Sequence, residues 1–274
     1  MFDRLVHVLF LAAILVSTIS GPAVAEQEKE PQQGSSKAES FVGLKIDANS
    51  VPEPKKVQPR GTSLPLELSG GEHVMLIGNT LLDYAQFEGF FETLLQQRFP
   101  GKKLVVRTLA WSADEVDLRP RPDAFGSLNQ HLSVQKADVI LAAYGFNESF
   151  AGADGLVDFQ RRLNTFLEDL KSRAYNGATA PRIVLLSPIA SEDLEEAKAG
   201  TRNNNRLEIY TAVMKAAAAQ HEIGFVDLFE PTREAYQQSG EPLTRNGVHL
   251  NEQGYRAFSQ ALYRGLFQES APPV

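Results

Sequence analysis

The sequence has no cysteine. Disulfides, cysteine-ligated metals and a lipid-modified N-terminal cysteine are therefore excluded. Tryptophan occurs once, at Trp111. Histidine is sparse, and His73, His131 and His221 lie apart without metal-ligand spacing, so neither a metal nor a cofactor is expected. The phosphate-cradling G-x-x-x-x-G-K-[ST] run is missing, and so is the G-x-S-x-G nucleophile elbow. Positive charge is in deficit, with 27 Lys and Arg against 34 Asp and Glu. A net charge of −7 leaves no electrostatic footprint for nucleic acid and does not favour an anionic membrane surface. No apolar run reaches the ~20 residues of a membrane span.

The longest apolar run, Val8 to Ile19, follows Arg4 and His7 and is broken by Gly21 and Pro22. Ala23-Val24-Ala25 then offers a small-residue cleavage site. This three-part layout reads residues 1–25 as a secretory signal. The expected mature chain begins at Glu26, has no integral membrane span, and is periplasmic or secreted.

Residues 26–62 are rich in Gln, Glu, Lys, Ser and Pro and predict a flexible linker or an arm lying on the domain. Beyond them, residues 63–270 read as one α/β domain. Apolar strands are expected at His73–Ile77, Leu104–Val106, Val139–Ala143, Ile183–Leu186 and Phe225–Leu228. Helices are expected at Leu81–Phe99, Leu156–Leu170, Leu207–Gln220 and Glu252–Phe267. Strands alternating with helices imply βαβ crossovers and a parallel sheet covered on both faces. Ligand sites in such sheets lie at the carboxyl ends of the strands.

Four strand-end or pre-helix segments carry polar groups there. Thr80 follows the first strand at a helix start, and reads either as an N-cap or as a hydroxyl facing the positive end of a helix dipole. Leu109-Ala110-Trp111-Ser112 follows the second strand. Tyr144 to Phe150 follows the third, and reads as an ordinary turn or as a means of aiming the Asn147 amide at a developing oxyanion. Asn246-Gly247 forms a turn that presents His249 just before the last helix. Together these provide a hydroxyl, an amide donor and an imidazole, the components of acyl transfer.

With these four blocks the sequence resembles the SGNH hydrolases, the GDSL lipase and esterase superfamily. The resemblance covers Leu64 to Phe267. It is nearest to a subgroup reading I-G-N-T-L, R-x-L-x-W-S, Y-G-F-N-E-S-F and N-G-V/I-H-L, matched here by Ile77–Leu81, Arg107–Ser112, Tyr144–Phe150 and Asn246–Leu250. It implies a three-layer α/β/α fold with a five-stranded parallel, flavodoxin-like sheet. It places the family's nucleophilic serine on Thr80, its oxyanion glycine on Ala110, its oxyanion asparagine on Asn147, its base on His249 and its acid on Asn246. Two signature residues are thus retained and two are altered. Threonine keeps the hydroxyl but adds a methyl that crowds attack. Asparagine cannot carry the charge that stabilises an imidazolium. Asp227 and Glu148 are the alternative acids. Two functions follow: an ester hydrolase acting on a small-molecule or carbohydrate ester, or a protein that keeps the cleft and binds a polar or carbohydrate ligand.

Overall fold

The computed structural model describes residues 51, 53–122, 125–195, 198 and 200–274. The expected secretory signal at 1–25 and most of the expected arm lie outside these residues.

Along the chain the elements are β1 (Lys55–Lys56), β2 (His73–Gly78), α1 (Thr80–Glu88), α2 (Phe90–Arg98), β3 (Val105–Thr108), α3 (Leu128–Val134), β4 (Val139–Ala143), α4 (Leu156–Lys171), β5 (Arg173–Ala174), β6 (Arg182–Leu186), α5 (Gly200–Gln220), β7 (Gly224–Val226), α6 (Phe229–Gln238) and α7 (Glu252–Phe267). Five strands form one parallel sheet in the order β3-β2-β4-β6-β7. The fold is the α/β arrangement that the strand-helix alternation predicts.

Side-chain alternation along the strands separates two cores. Val74, Leu76, Leu141, Val184 and Leu186 face one side, where Leu82, Leu94, Leu95, Phe258 and Leu262 of α1, α2 and α7 cover them. Met75, Ile77, Ile140, Ile183 and Leu185 face the other, against Leu132, Phe159, Leu163, Tyr210 and Met214 of α3, α4 and α5. Because both faces are covered, the central strand β4 is apolar throughout, whereas the edge strand β3 carries Arg107 and Thr108.

The sequence predicts one helix over Leu81–Phe99, but two form. Gly89 adopts φ 68°, and its N–H bonds to Ala85 O as the first helix closes. α5 begins at Gly200, before the expected Leu207, and the short helices α3 and α6 are additions to the predicted set.

Of the expected arm, residues 53–62 lie along the domain. Lys55 and Lys56 pair antiparallel with Ala174 and Arg173. Thr62 is buried, and its Oγ1 accepts from Ile183 N at 2.9 Å. Among the described residues no helix is long and apolar enough to cross a membrane.

Gly78 ends β2 with φ 133°, and a Cβ there would lie 2.0 Å from Ala143 O. Only glycine lets the end of β2 approach β4 this closely. The chain then turns at once into α1, so residue 80 stands beside the segment that follows β4.

Candidate active site

Asn79 caps α1, its Oδ1 accepting from Leu81 N at 3.2 Å. The capping alternative for Thr80 is therefore overturned: Thr80 is the first helical residue, and its hydroxyl is free of that duty. Thr80 Oγ1 instead accepts from Ala113 N at 3.3 Å, and among the described residues it donates to no protein group. The neighbouring hydroxyls are all engaged. Ser112 Oγ donates to Asp83 Oδ2 at 2.7 Å, Ser149 Oγ to Phe146 O at 2.7 Å, and Ser187 Oγ to Pro188 O at 2.9 Å.

Thr80, Ala113, Asn147 and His249 line one cavity of about 240 Å³ at the carboxyl end of the sheet, walled further by Tyr144, Ile189 and Tyr255. Asn147 is half-buried, and its Nδ2 donates to Asp114 O at 3.2 Å. An amide nitrogen carries two protons, so one remains for a ligand.

The His249 loop is held from below. Buried Glu192 accepts from Leu243 N at 3.0 Å, Thr244 N at 2.8 Å and Thr244 Oγ1 at 2.6 Å. Gly247 adopts φ 82° and donates its N–H to Thr244 Oγ1, while its carbonyl accepts from Glu192 N. A Cβ at 247 would meet Glu192 O at 2.8 Å, so the turn presenting His249 requires glycine. Asn246 reaches the imidazole itself, through Nδ2 at 3.0 Å and Oδ1 at 3.2 Å from Nδ1.

Ala110 lies elsewhere. It is buried against the α1 side of the sheet, its N–H donates to Thr108 Oγ1 at 3.3 Å, and it lines a neighbouring cavity. The backbone N–H that meets Thr80 belongs to Ala113, three residues on. Ala113 has φ 67°, a left-handed conformation that costs a non-glycine residue about 1–2 kcal/mol. The sequence offered no sign of it, since both positions are alanine. Strained backbone of this kind concentrates at functional sites.

Neither alternative acid reaches His249. Glu148 is buried and braces two loops, accepting from Val116 N at 3.0 Å and Gly145 N at 2.8 Å. Burial pushes its carboxyl above the usual range, against the pull of those backbone N–H groups. Asp227 is engaged at the start of α6, its Oδ1 accepting from Phe229 N at 2.9 Å. No group of three or more His, Asp or Glu suited to a metal occurs among the described residues.

Residues 78–257 match the model of the GDSL-like lipase/acylhydrolase family. The chain belongs to that family. Its members' name places ester and acyl hydrolysis on the table, and the matched span starts two residues before Thr80 and ends eight after His249. No curated protein sequence matches the chain. Among solved structures, Axe2, an acetylxylan esterase from Geobacillus stearothermophilus, is 18% identical with a TM-score of 0.57, covering 73% of this chain and 96% of its own. A catalytic mutant of the same esterase aligns with a TM-score of 0.60 at 18% identity over 76% of this chain and 100% of its own. LAE5, an α/β hydrolase from the metagenome of Lake Arreo, Spain, is 17% identical with a TM-score of 0.52, covering 73% and 96%. At these identities the likeness is one of fold, and it places this GDSL-family chain in the SGNH-type three-layer architecture.

Proposed function

We propose that this chain is an exported SGNH-type hydrolase of esters, with acylated carbohydrate as its substrate class, and that it works with an altered nucleophile and acid. The observation that carries the reading is the Thr80 hydroxyl, held by the Ala113 N–H in the cavity that His249 and Asn147 also line. Thr80 Oγ1 attacks the ester carbonyl carbon as its proton passes to His249 Nε2. The carbonyl oxygen becomes an oxyanion, which Ala113 N–H and the second proton of Asn147 Nδ2 stabilise. Collapse expels the alcohol, which takes the proton from His249, and leaves an acyl-threonine. Water then repeats the sequence and releases the acid. The acylated-carbohydrate class is supported by the acetylxylan esterase among the structural neighbours. The third and fourth sequence blocks support membership of the G-N-T-L/G-F-N-E-S-F subgroup. Export is supported by the layout of residues 1–25.

The test is hydrolysis of p-nitrophenyl acetate and acetylated xylo-oligosaccharide by the wild type, Thr80→Ala and His249→Ala. Activity that vanishes in both variants supports the reading. Activity that survives Thr80→Ala removes Thr80 as the nucleophile. For export, the secreted protein should begin at Glu26; an intact Met1 would sink that part.

A second reading rests on Asn246. An amide in place of the acid weakens the imidazole as a base and leaves it suited to holding a ligand oxygen. A folded protein that cleaves no ester but binds the same saccharides would establish that reading instead.

A further inference from the structure

Trp111, the sole tryptophan, directly precedes Ser112 and Ala113, whose N–H groups meet Asp83 and Thr80. It is 51% exposed. Its indole is also held still. The Arg121 guanidinium lies 4.7 Å from the Trp111 ring centre, and Phe125 meets the indole edge-on at 5.8 Å. Arg121 is in turn fixed by two bonds to buried Asp114, at 2.8 and 2.6 Å.

This group walls a second cavity of about 510 Å³, and Tyr144 lines both it and the Thr80 cavity. The sizes decide how a substrate divides. Ligand sites run from roughly 300 to 1,000 Å³. The Thr80 cavity, at about 240 Å³, is below that range and takes a small acyl group, whereas its neighbour falls within it.

The wall chemistry selects the ligand. Among its lining charges, Arg121 is paired with Asp114 and Asp117 with Arg162 at 2.6 Å, while Arg119 donates to Val116 O. The Asp83 carboxylate accepts from Ser112 N and Oγ and has lone pairs to spare, and Gln86 Oε1 accepts from no protein donor among the described residues. An exposed indole face beside uncommitted acceptors suits a neutral sugar ring, which presents C–H groups to the aromatic face and hydroxyl protons at its rim. It does not suit an anion, because three carboxylates, Asp83, Asp114 and Asp117, face two guanidiniums, Arg119 and Arg121, in its wall.

We propose that this second cavity is a subsite for a neutral glycan, stacked on Trp111, which carries the ester into the Thr80 cavity. The proposal rests on the ester-hydrolase reading only for the word "ester"; glycan binding itself needs no turnover.

The experiment uses that independence. Wild type and Thr80→Ala are titrated with unacetylated xylopentaose, cellopentaose and mannopentaose, and with oligogalacturonate as the anionic control, following tryptophan fluorescence. With one tryptophan in the chain, any change reports this cavity. At least one neutral pentasaccharide should give a saturable change in both proteins, and oligogalacturonate none. By calorimetry, Trp111→Ala should weaken that binding by about tenfold or more, with Trp111→Phe recovering part of it because a stacking face returns. No response to any neutral pentasaccharide, or equal binding of oligogalacturonate, overturns the proposal even if p-nitrophenyl acetate is cleaved. Saccharide binding without cleavage of any ester leaves the subsite standing and removes the hydrolase reading.

Discussion

The Asn246 side chain faces the inner nitrogen of His249, with its Nδ2 3.0 Å from Nδ1. Asn246 Oδ1 also accepts from His249 N at 2.9 Å and Val248 N at 3.2 Å, which fixes the amide's orientation. With its oxygen on two backbone donors, the amide turns an N–H toward Nδ1. This favours a ring proton on Nε2, and only the minor tautomer, with Nε2 bare, can accept the Thr80 proton. Asn246 thus does more than omit a charge: it favours the unreactive tautomer.

Asn246→Asp should reverse this. A carboxylate accepts from Nδ1–H, frees Nε2 and stabilises the imidazolium. The same exchange in the opposite sense lowers turnover by about 10⁴ in a serine protease. Hydrolysis of p-nitrophenyl acetate should rise by about 10² or more, and nitrogen NMR of the ring should show the proton moving from Nε2 to Nδ1. An unchanged tautomer would dismiss the argument.

Thr80→Ser should raise hydrolysis by about tenfold, equivalent to ~1.4 kcal/mol of barrier, because the hydroxyl stays and the crowding methyl goes. Combined with Asn246→Asp the gains should be non-additive, since the two groups serve one proton transfer. Steady-state kinetics of the four proteins measures this. Strict multiplication of the two effects would place Thr80 and His249 in separate roles.

Ala113→Gly should keep the N–H that meets Thr80 and relieve its left-handed backbone. Relief of about 1–2 kcal/mol exceeds the ~0.5–1 kcal/mol that glycine forfeits through unfolded-state freedom. The Tm should rise by about 1–3 °C, with hydrolysis retained. Ala110→Gly, at a buried position with ordinary backbone, should instead lower the Tm. Opposite signs in a melting experiment would overturn the assignment of backbone strain to position 113.

Acid should destabilise the protein partly through His221. Burial lowers its pKa from 6.5, with Lys171 adding to the shift and Glu168 opposing it. Its Nε2 lies 2.9 Å from Asn164 Oδ1, as in a neutral ring donating from that nitrogen. As pH falls through 6.5 the unfolded chain takes up a proton that the folded chain refuses, so stability drops until the folded pKa is reached. The Tm should decline between pH 7.5 and 5.5, and His221→Gln should flatten that slope. An equal slope in the variant would assign it to other groups.

What could be read from the sequence follows from where the signal is strong. β4 at Val139–Ala143 and α7 at Glu252–Phe267 coincide with their expected bounds, because an unbroken apolar strand and a long amphipathic helix are hard to mistake. The α1–α2 break was hidden, since the apolar spacing runs on through Gly89 and only its positive φ reveals it. α3 is seven polar-leaning residues, though its capping box of Ser127 and Gln130 was readable. α6 holds Pro231 in its first turn, where the missing N–H costs nothing, but a proline argues against a helix when seen in sequence. In the site, Thr80, Asn147 and His249 line one cavity, and Ala110 of the second block does not. Ala113 could not be told from Ala110, because the difference lies in a backbone angle and not in a side chain.

The Thr80 turn and the Asn147 segment adjoin because the chain, after β2, lays β3 on one flank and β4 on the other. The hollow between them is a product of that winding order, with Gly78 letting the two strand ends nearly touch. No reacting side chain is needed to keep it open. A lineage of such proteins can therefore surrender its chemistry one substitution at a time while the receptacle persists, and a receptor descended from an enzyme would retain the same berth for its ligand.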